Sequence, residues 1–541
     1  MRSSCLAAAA AVASLAAAAL AQPAAPPTFS PEAFRAHVEF LADDRLEGRD
    51  AGSRGYDIAA DYVAQRFAAL GLKPAVNGGW YQPVPFVEYR LADAPPRVTV
   101  GRRSFAQAKE VVIWPDAARG PQTIEAPVVF VGYGLDMPGR GFDDYAGLDV
   151  RGKIVAMLSG TPAGLPSDLA AHIGSEKTRM AERNGAIGTI GIRTRAAARQ
   201  LPWTRLAGQA GRPELTWTDP DGRPYSAAPG IRVAATFDTA AAEALFAGAR
   251  RPLKQILDEV EKGVRPKGFA LAQPVRIERQ SVSRTFSSPN VIGLLPGSDP
   301  ALAGEYVLLM AHLDHIGVAP IADGTGDRIN NGAMDNATGV ATMIEAARAF
   351  VTSGTRPRRP ILFAAVTAEE DGLLGAQYLA KHPVTGGGGK VVAVVNLDMP
   401  VLLYDFTEVI AFGAEHSTLG RVVARAGAGM GVRPAQDPLP DEGLFTRSDH
   451  YRFVQEGVPA VFLMTGFANG GEKKFTQFLT THYHRPSDEV GPGFDWQAGA
   501  KFARLNYLIA REIADAPRAP LWYAGSFFGE VFAPGQAKAA K

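Results

Sequence analysis

Residues 306–314 read YVLLMAHLD, a continuous apolar run that ends in a histidine and an aspartate. Similar apolar runs recur along the second half of the chain, and segments with apolar residues at helical spacing lie between them. Buried strands that alternate with helices are typical of a largely parallel sheet. From about Ser288 onward we therefore expect an α/β fold with a doubly wound, mostly parallel sheet.

The predicted elements of this sheet are short strands and longer helices. The strands are Asn290–Leu295, Tyr306–Ala311, Ile361–Val366, Val391–Leu397 and Pro459–Met464. The helices are Ala337–Val351, Leu373–Lys381, Ser417–Ala426 and Gln497–Ile513. Upstream, two further helices are predicted at Pro31–Ala42 and Tyr56–Leu70. Between them lies the loop Leu46–Arg49, for which a tight solvated turn is at least as good an interpretation as a functional role.

Residues 127–270 are predicted to form a separate unit. Its short apolar strands are expected at Pro127–Tyr133, Lys153–Leu158, Gly185–Ile192 and Ile231–Phe237, with a helix at about Ser175–Asn184. This stretch contains one histidine, His172, and no acids clustered at strand ends. We therefore interpret it as a non-catalytic, mixed α/β insert.

The N-terminus predicts export. Met1–Ala21 combines a positive charge at Arg2, an Ala/Leu-rich apolar run and a small-residue end, which is typical of a cleaved signal peptide. We expect a soluble product in the periplasm or outside the cell. The one cysteine, Cys5, would be lost with this segment, so a disulfide framework, a cysteine nucleophile and Cys-ligated zinc are excluded.

The overall composition excludes other classes of protein. The 541 residues, of which 46% are hydrophobic and 21% charged, are typical of a soluble globular enzyme. The formal net charge is +1 and the chain has no basic tract, so we expect neither nucleic acid nor a membrane surface as a partner. The sequence does not predict an oligomeric state.

Histidines and acids gather where three predicted strands end. His312 and Asp314 close one strand, Glu369 and Glu370 follow the second, and Asp398 follows the third. In an open α/β sheet the carboxyl ends of the strands line one crevice, where ligands bind. These side chains are therefore expected on a single rim of the sheet.

Asp335 and His484 extend this set. Alone, Asp335 before a helix would be interpreted as an N-cap, and a loop histidine such as His484 as solvated. Together with the strand ends, they complete a set of ligands that suits two zinc ions: His312, Asp335, Glu370, Asp398 and His484. Glu369 then remains as a base for a water molecule, and Asp314 can orient the imidazole of His312 from behind.

The motifs around these residues resemble those of a known family. They are, in order, HLD at 312–314, MDNATG at 334–339, EE at 369–370, NLDM at 396–399, SDH at 448–450 and YHRPSD at 483–488. The series resembles the di-zinc aminopeptidase family, which includes bacterial leucyl and Streptomyces-type aminopeptidases, glutamate carboxypeptidase and glutaminyl cyclase. Six matches in order make the resemblance specific, whereas a single motif such as the Glu pair would be weak.

The resemblance implies a role for each matched residue. The implied ligands are shared between two zinc ions per chain: His312 and Asp398 on one, Glu370 and His484 on the other, and Asp335 bridging both. Glu369 would be the general base in the hydrolysis of peptide bonds, with removal of N-terminal residues from peptides as the implied activity. Asp449 and His450 would support the ligands from outside the metal shell.

The resemblance extends to most of the chain. Residues 46–49 and 71–74 look like the start of the family's catalytic domain, and residues 127–270 resemble a protease-associated domain. The predicted division is a signal peptide at 1–21, an N-terminal part of the peptidase domain at 30–126, the insert at 127–270, the main peptidase domain at 271–517 and a tail at 518–541.

One position departs from the family pattern, because His315 stands where the family often has serine. We interpret it as an ordinary loop histidine, with a spare ligand or a substrate contact as alternatives. Three other functions stay open. A carboxypeptidase for acidic peptides would need a cationic pocket, for which only Arg447 and Arg485 are near the motifs. A glutaminyl cyclase would use one zinc, and a binding protein without catalysis would be expected to have lost ligands that this chain retains.

Overall fold

The computed structural model describes residues 26–118, 120–321, 324 and 326–541. The predicted signal peptide, Met1–Ala21, lies outside the described residues. Among the helices of the described part, none has both the length and the apolar character needed to span a bilayer.

Fifteen α-helices occur among the described residues. In chain order they are α1 Pro31–Leu41, α2 Arg54–Ala69, α3 Ser167–Ser175, α4 Lys177–Arg183, α5 Arg195–Gln200, α6 Trp203–Gln209, α7 Thr239–Leu245, α8 Leu253–Val260, α9 Thr338–Thr352, α10 Leu374–Lys381, α11 Leu419–Ala428, α12 His450–Gln455, α13 Gly471–Thr481, α14 Trp496–Asp515 and α15 Phe527–Phe532. The first begins where the sequence provides a cap, since the Ser30 hydroxyl accepts from the Ala33 N–H and Pro31 occupies the first turn.

The strands of the same residues form two large sheets and one hairpin. In chain order they are β1 Lys73–Pro74, β2 Tyr81–Leu91, β3 Arg97–Val100, β4 Arg103–Ala106, β5 Val111–Ile113, β6 Gly120–Ala126, β7 Val128–Phe130, β8 Asp136–Met137, β9 Phe142–Asp143, β10 Ile154–Leu158, β11 Gly188–Ile192, β12 Glu214–Trp217, β13 Val233–Phe237, β14 Phe269–Ala270, β15 Val275–Leu295, β16 Glu305–His312, β17 Ile361–Val366, β18 Lys390–Leu397, β19 Glu408–Phe412, β20 Arg433–Ala435 and β21 Ala460–Thr465.

The larger sheet has a parallel centre. Its main path runs β12-β2-β15-β17-β16-β18-β21-β19-β20, and the pairs from β17 to β21 are parallel. Every residue of β17 and β21 is buried, because helices cover both faces of the sheet. The predicted α/β class is therefore confirmed, with antiparallel pairs added at β15–β17 and β19–β21.

The second sheet has the order β14-β7-β10-β11-β13-β5 and contains a parallel core of four strands, β7-β10-β11-β13. Its hydrophobic cluster is separate from that of the main sheet and includes residues from Val98 to Ile277. The boundaries 127 and 270, and the resemblance to a protease-associated domain, stay predictions. Strand β15 belongs to the larger sheet, where it pairs with β6 over residues 275–281 and with β2 over residues 281–291, and its residues Val275 and Ile277 pack into the second cluster.

The register of the central strands brings the predicted rim together. His312, the last residue of β16, pairs with Val366 at the end of β17, and Met310 pairs with Asn396 near the end of β18. Because these strands are parallel neighbours, the residues that follow them emerge at the same edge. Asp314, Glu369 and Asp398 therefore start from one side of the sheet.

Candidate metal centre

Two groups of nitrogen and oxygen donors meet at this edge and share Asp335. One oxygen of Asp335, Oδ1, lies 3.2 Å from Nε2 of His312, which is also 3.2 Å from Oδ1 of Asp398. The other oxygen, Oδ2, lies 3.2 Å from Nε2 of His484, which is 3.1 Å from Oε2 of Glu370. All five predicted ligands are thus together, with the carboxylate of Asp335 between two imidazoles.

These separations fit zinc. Two ligands that bind one tetrahedral zinc at 2.0–2.1 Å are about 3.3 Å apart, close to the measured 3.1–3.2 Å. Imidazole nitrogen and carboxylate oxygen are also the donor types that zinc accepts in proteins without cysteine. Each half of the site supplies one imidazole and one carboxylate besides the shared Asp335, which leaves room for a further ligand on each metal.

The position of Asp335 is fixed from both sides. The carboxylate of Asp488 accepts hydrogen bonds from the backbone N–H groups of Met334 and Asp335, at 2.9 and 3.0 Å. On the other side, the amide of Asn336 donates to the carbonyl of Leu397 at 2.9 Å and accepts from the N–H of Gly339. The segment that carries Asp335 is therefore tied to β18, which ends next to Asp398.

Asp398 is oriented by a short chain of hydrogen bonds. The Ser448 hydroxyl donates to Oδ2 of Asp398 at 2.5 Å, and the amide of Asn396 donates to the Ser448 oxygen at 2.6 Å. Since Oδ2 is occupied in this way, Oδ1 is left to face His312. Ser448 belongs to the SDH motif, but only its two neighbours, Asp449 and His450, were predicted from the sequence to support the ligands.

Those neighbours, Asp449 and His450, do not touch the ligands through hydrogen bonds. Both are fully buried, and neither side chain has a hydrogen-bond partner among the described residues. His450 packs between the rings of Phe445 and Phe462. Burial lowers its pKa to about 3 and raises the pKa of Asp449 well above the usual range, so the imidazole is neutral.

Asp314 supports the site in two ways. Its backbone carbonyl lies 3.1 Å from Nδ1 of His312, so it accepts from Nδ1–H and leaves Nε2 free for a metal. Its carboxylate, at 4.0 Å from that nitrogen, accepts instead from the N–H groups of Glu369 and Glu370. The side chain that was expected to orient the histidine thus mainly fixes the backbone of the Glu pair.

Arg49 holds the loops around the centre. Its side chain is 1% exposed, and its guanidinium donates to the backbone carbonyls of Leu41, Leu313, Asn331 and Gly332. Burial lowers its pKa to about 10, although the surrounding carboxylates oppose the shift. The Leu46–Arg49 loop is therefore more than a solvated turn, since its arginine joins helix α1 to two loops that carry site residues.

His315 lies inside the centre as well. The sequence interpretation made it an ordinary loop histidine, but its Nδ1 is 2.6 Å from Oε1 of Glu370 and its side chain is fully buried. A ring nitrogen of His315 and one carboxylate oxygen each of Asp335 and Glu370 lie within 4.8 Å of one another, which is close enough for the three residues to hold one metal ion. In the sequence, only the position of His315 directly after the HLD motif indicates that it lies at the site.

The charges of the centre favour a cation. Burial alone would lower the pKa of His312, yet Glu369 and Asp398 hold it well above the usual value. Burial also lowers the pKa of His484, but its hydrogen bonds to Asp335 and Glu370 outweigh this effect and raise the pKa to about 10. Burial raises the pKa of Glu369 well above its usual range, and neighbouring carboxylates add to the shift. Carboxylates thus outnumber imidazoles in this buried region, and a divalent cation would offset their repulsion.

A cavity of about 50 Å³ opens beside the shared aspartate. Glu369 lines it together with His312 and Asp398 on one side. The opposite wall is largely apolar and comes from Met399, Leu444, Phe462, Met464 and Tyr483. Burial raises the pKa of Tyr483 far above 10, so its hydroxyl keeps its proton. Neither Tyr483 nor the apolar wall was singled out from the sequence.

Comparison with known proteins agrees with this geometry. Residues 290–509 match the description of peptidase family M28. The leupeptin-inactivating enzyme 1 of Streptomyces exfoliatus is 28% identical over 194 residues, which are 34% of this chain and 38% of that protein. A protein of Pyrenophora teres f. teres named "Probable zinc metalloprotease" is 39% identical over 109 residues, or 20% of this chain and 22% of its own. The chain thus spans well under half the length of these relatives.

A solved structure resembles nearly the whole chain. The aminopeptidase from Aneurinibacillus sp. strain AM-1 superposes with a TM-score of 0.51 and 20% sequence identity, over 91% of this chain and 95% of that one. At this identity the similarity demonstrates a shared fold. The matched residues 290–509 contain all five predicted ligands, so the similarity to peptidase family M28 includes the candidate metal centre.

Proposed function

We propose that the protein is a di-zinc aminopeptidase that removes single residues from the N-termini of peptides. The observation that carries this proposal is the position of Asp335, whose two carboxylate oxygens each face a different histidine. His312 and Asp398 would hold one zinc, His484 and Glu370 the other, and Asp335 would bridge them. Zinc, when bound, supplies Lewis-acid polarisation of a carbonyl and a nucleophile at neutral pH.

Residues of the chain would transfer the protons and bind the substrate. Glu369 lines the cavity beside His312 and Asp398, where its carboxylate can accept a proton from the attacking water and pass it to the leaving amine. Tyr483 keeps its phenolic proton and is available to donate to the charge that develops on the carbonyl oxygen. The apolar wall around Met399 and Phe462 would receive the side chain of the N-terminal residue.

The aminopeptidase direction rests on relatives and on charge. The structural neighbour is named an aminopeptidase, and the Streptomyces relative a leupeptin-inactivating enzyme. A carboxypeptidase for acidic peptides would need a free cation at the cavity. Arg447 lines it, but its guanidinium is 3.0 Å from Oε2 of Glu442, so the charge is partly offset. A binding protein without catalysis is disfavoured because all five ligands and Glu369 converge.

The test combines metal analysis with a substrate panel. Purified protein is expected to bind two zinc equivalents and to hydrolyse aminoacyl p-nitroanilides and free-amine peptides, but not the same peptides with an acetylated N-terminus. Full activity with one zinc and ammonia release from N-terminal glutamine would favour a cyclase. Release of C-terminal acidic residues from acetylated peptides would favour a carboxypeptidase. Either result would contradict the proposal.

A further inference from the structure

His315 occupies a fixed place beside the second half of the centre. Its backbone N–H donates to the carbonyl of Arg49 at 3.3 Å, and its ring packs against Gly332. A Cβ atom at Gly332 would lie 2.7 Å from the imidazole carbons, so the residue there must be glycine for the ring to fit. The ring also faces that of His484, with centroids 5.7 Å apart at 68°. Packing thus selects one orientation of His315.

The distance between His315 and Glu370 separates two possible roles. Ligands of one tetrahedral zinc would be about 3.3 Å apart, as the other four donor pairs nearly are. The 2.6 Å between Nδ1 of His315 and Oε1 of Glu370 is too short for that arrangement and is the length of a charge-assisted hydrogen bond. A carboxylate only accepts, so the hydrogen must be on Nδ1. The other nitrogen, Nε2, is buried without a partner among the described residues.

Resting on the di-zinc function proposed above, we propose that His315 is a positioning residue that fixes Glu370 as a one-oxygen ligand. His315 takes Oε1, and Oε2 is left to face His484 at 3.1 Å. Without this bond the carboxylate could rotate and bind the metal through both oxygens. A single bound oxygen keeps one more coordination position open at the second metal, where water or the substrate amine can bind.

The bond should therefore strengthen and shape the second zinc site without adding a ligand. Partners that orient a metal ligand by hydrogen bonding change metal affinity by about 10- to 100-fold when they are removed. The first site, built on His312 and Asp398, has its own support from Asp314 and Ser448. The two sites should respond differently to a change at position 315.

The experiment compares four proteins by chelator competition, which reports zinc affinity without an activity assay. They are the wild type, His315→Ala, His315→Asn and the control His382→Ala, with His315→Ser in place of alanine if that variant does not fold. The amide nitrogen of asparagine occupies the place of Nδ1 and can still donate. We expect two zinc ions in every protein at saturation, a second zinc about 10- to 100-fold weaker in His315→Ala, and near-normal affinity in His315→Asn and His382→Ala.

Three results would overturn the role of His315. Unchanged affinity in His315→Ala would mean that the hydrogen bond does not matter. One zinc at saturation in that variant would make His315 a ligand. Equal losses in the alanine and asparagine variants would point to ring packing. The di-zinc proposal is tested separately by the zinc count of the wild type, because a wild type that binds one zinc would contradict it. In that case, an unchanged affinity of the single zinc in His315→Ala would overturn the role of His315 as well.

Discussion

Glu369 and Glu370 are adjacent in the sequence, yet their side chains face different groups. The N–H groups of both are held by the carboxylate of Asp314, which fixes the turn after β17. From this turn, Glu370 reaches His484 and His315, whereas Glu369 lines the cavity. This arrangement is what the proposed roles require, with Glu370 as a metal ligand and Glu369 as the group that transfers protons.

Replacing each glutamate by glutamine separates these roles. Glu369→Gln keeps the shape of the side chain but removes the basic oxygen, so both zinc ions should stay bound while kcat falls by about 10²–10⁴, or roughly 3–5 kcal/mol of barrier. Glu370→Gln is the matched control and should weaken one zinc site. The measurements are kcat and zinc content of both variants. Loss of zinc from Glu369→Gln with near-normal turnover per metal would require the roles to be exchanged.

That the five candidate ligands lie together could be predicted from the sequence, but most of the contacts that orient them could not. Histidines and acids that follow predicted parallel strands can be recognised as candidate ligands, because the carboxyl ends of such strands lie at one edge of the sheet. Arg49 acts through the carbonyls of residues far away in the chain, and those contacts exist only after folding. The same holds for the side chain of Ser448, whose only relevant property in the sequence is its place next to Asp449.

At the scale of secondary-structure elements, the start of α9 is packed tightly against the site. Gly339 lies in its first turn, and a Cβ atom there would lie 2.2 Å from Oδ1 of Asn336 and 2.3 Å from the carbonyl of Leu397. These two atoms belong to the bonds that tie the Asp335 segment to β18. The helix can approach the strand this closely only because the residue has no side chain.

We therefore expect Gly339→Ala to lower the free energy of unfolding by about 1–3 kcal/mol and to weaken zinc binding, because the ligand-bearing backbone must shift. Gly208→Ala is the matched control, since Gly208 lies in helix α6 with open space around it. That change should be neutral or stabilise by up to about 1 kcal/mol. Denaturant unfolding of both variants decides the matter, and equal effects would contradict the close packing inferred here.

The elements themselves were predicted unevenly. The five core strands of the main sheet were located from their apolar runs, because strands buried on both faces read as continuous hydrophobic segments. The first part of β15, residues 275–289, in which buried and exposed positions are mixed, and the whole of β2 were not predicted. β2 contains Pro83 and Pro85 and alternates exposed and buried residues, so neither a continuous run nor a strong strand propensity marks it.

Helix α3 of the second unit contains a buried titratable group, His172. Its Nδ1 is 2.5 Å from the Tyr451 hydroxyl, and its ring contacts Phe527, Phe528 and Phe532. Burial lowers its pKa to about 4, with Arg179 adding to the shift. The folded protein therefore resists protonation at a pH at which the unfolded chain, with a histidine pKa of about 6.5, accepts the proton.

The resulting loss of stability begins as the pH falls below about 6.5 and is complete below about 4. Between pH 7.5 and pH 5, His172 should contribute a loss of about 2 kcal/mol in the free energy of unfolding. The variant His172→Gln does not titrate and should lack this part of the pH dependence. Unfolding curves of both proteins at the two pH values test it, and parallel losses would show that His172 is already protonated or exposed in the native state.

At the scale of the whole molecule, the second unit is docked next to the cavity. Helix α3 contacts the segment 440–446, where a Cβ atom at Gly443 would lie 3.0 Å from Cβ of Ala171. Two polar contacts extend this interface: Nε2 of His416 lies 3.3 Å from Oδ2 of Asp168, and Arg140 forms an ion pair with Glu530 at 2.7 Å. The docked segment contains Leu444 and ends next to Arg447, and both residues line the cavity.

We therefore propose that the unit shapes access of longer peptides to the centre. Ala171→Trp should push α3 away from Gly443 and change kcat/KM several-fold for a pentapeptide, with a smaller change for an aminoacyl p-nitroanilide and no change in zinc content. Ala196→Trp is the control, because Ala196 is exposed on helix α5 of the same unit. If both variants behave like the wild type on every substrate, the docked helix does not control access.

Strand β15 contributes residues to both of the two largest hydrophobic cores among the described residues. Its first residues, such as Val275 and Ile277, belong to one core, and Val291 and Ile292 near its end belong to the other. Because these 21 residues form one continuous strand of the larger sheet, displacing the strand would loosen both cores. Amide protons around both cores should then exchange through a shared opening, and heating should give one cooperative transition. The protein would thus have two cores but a single unit of folding.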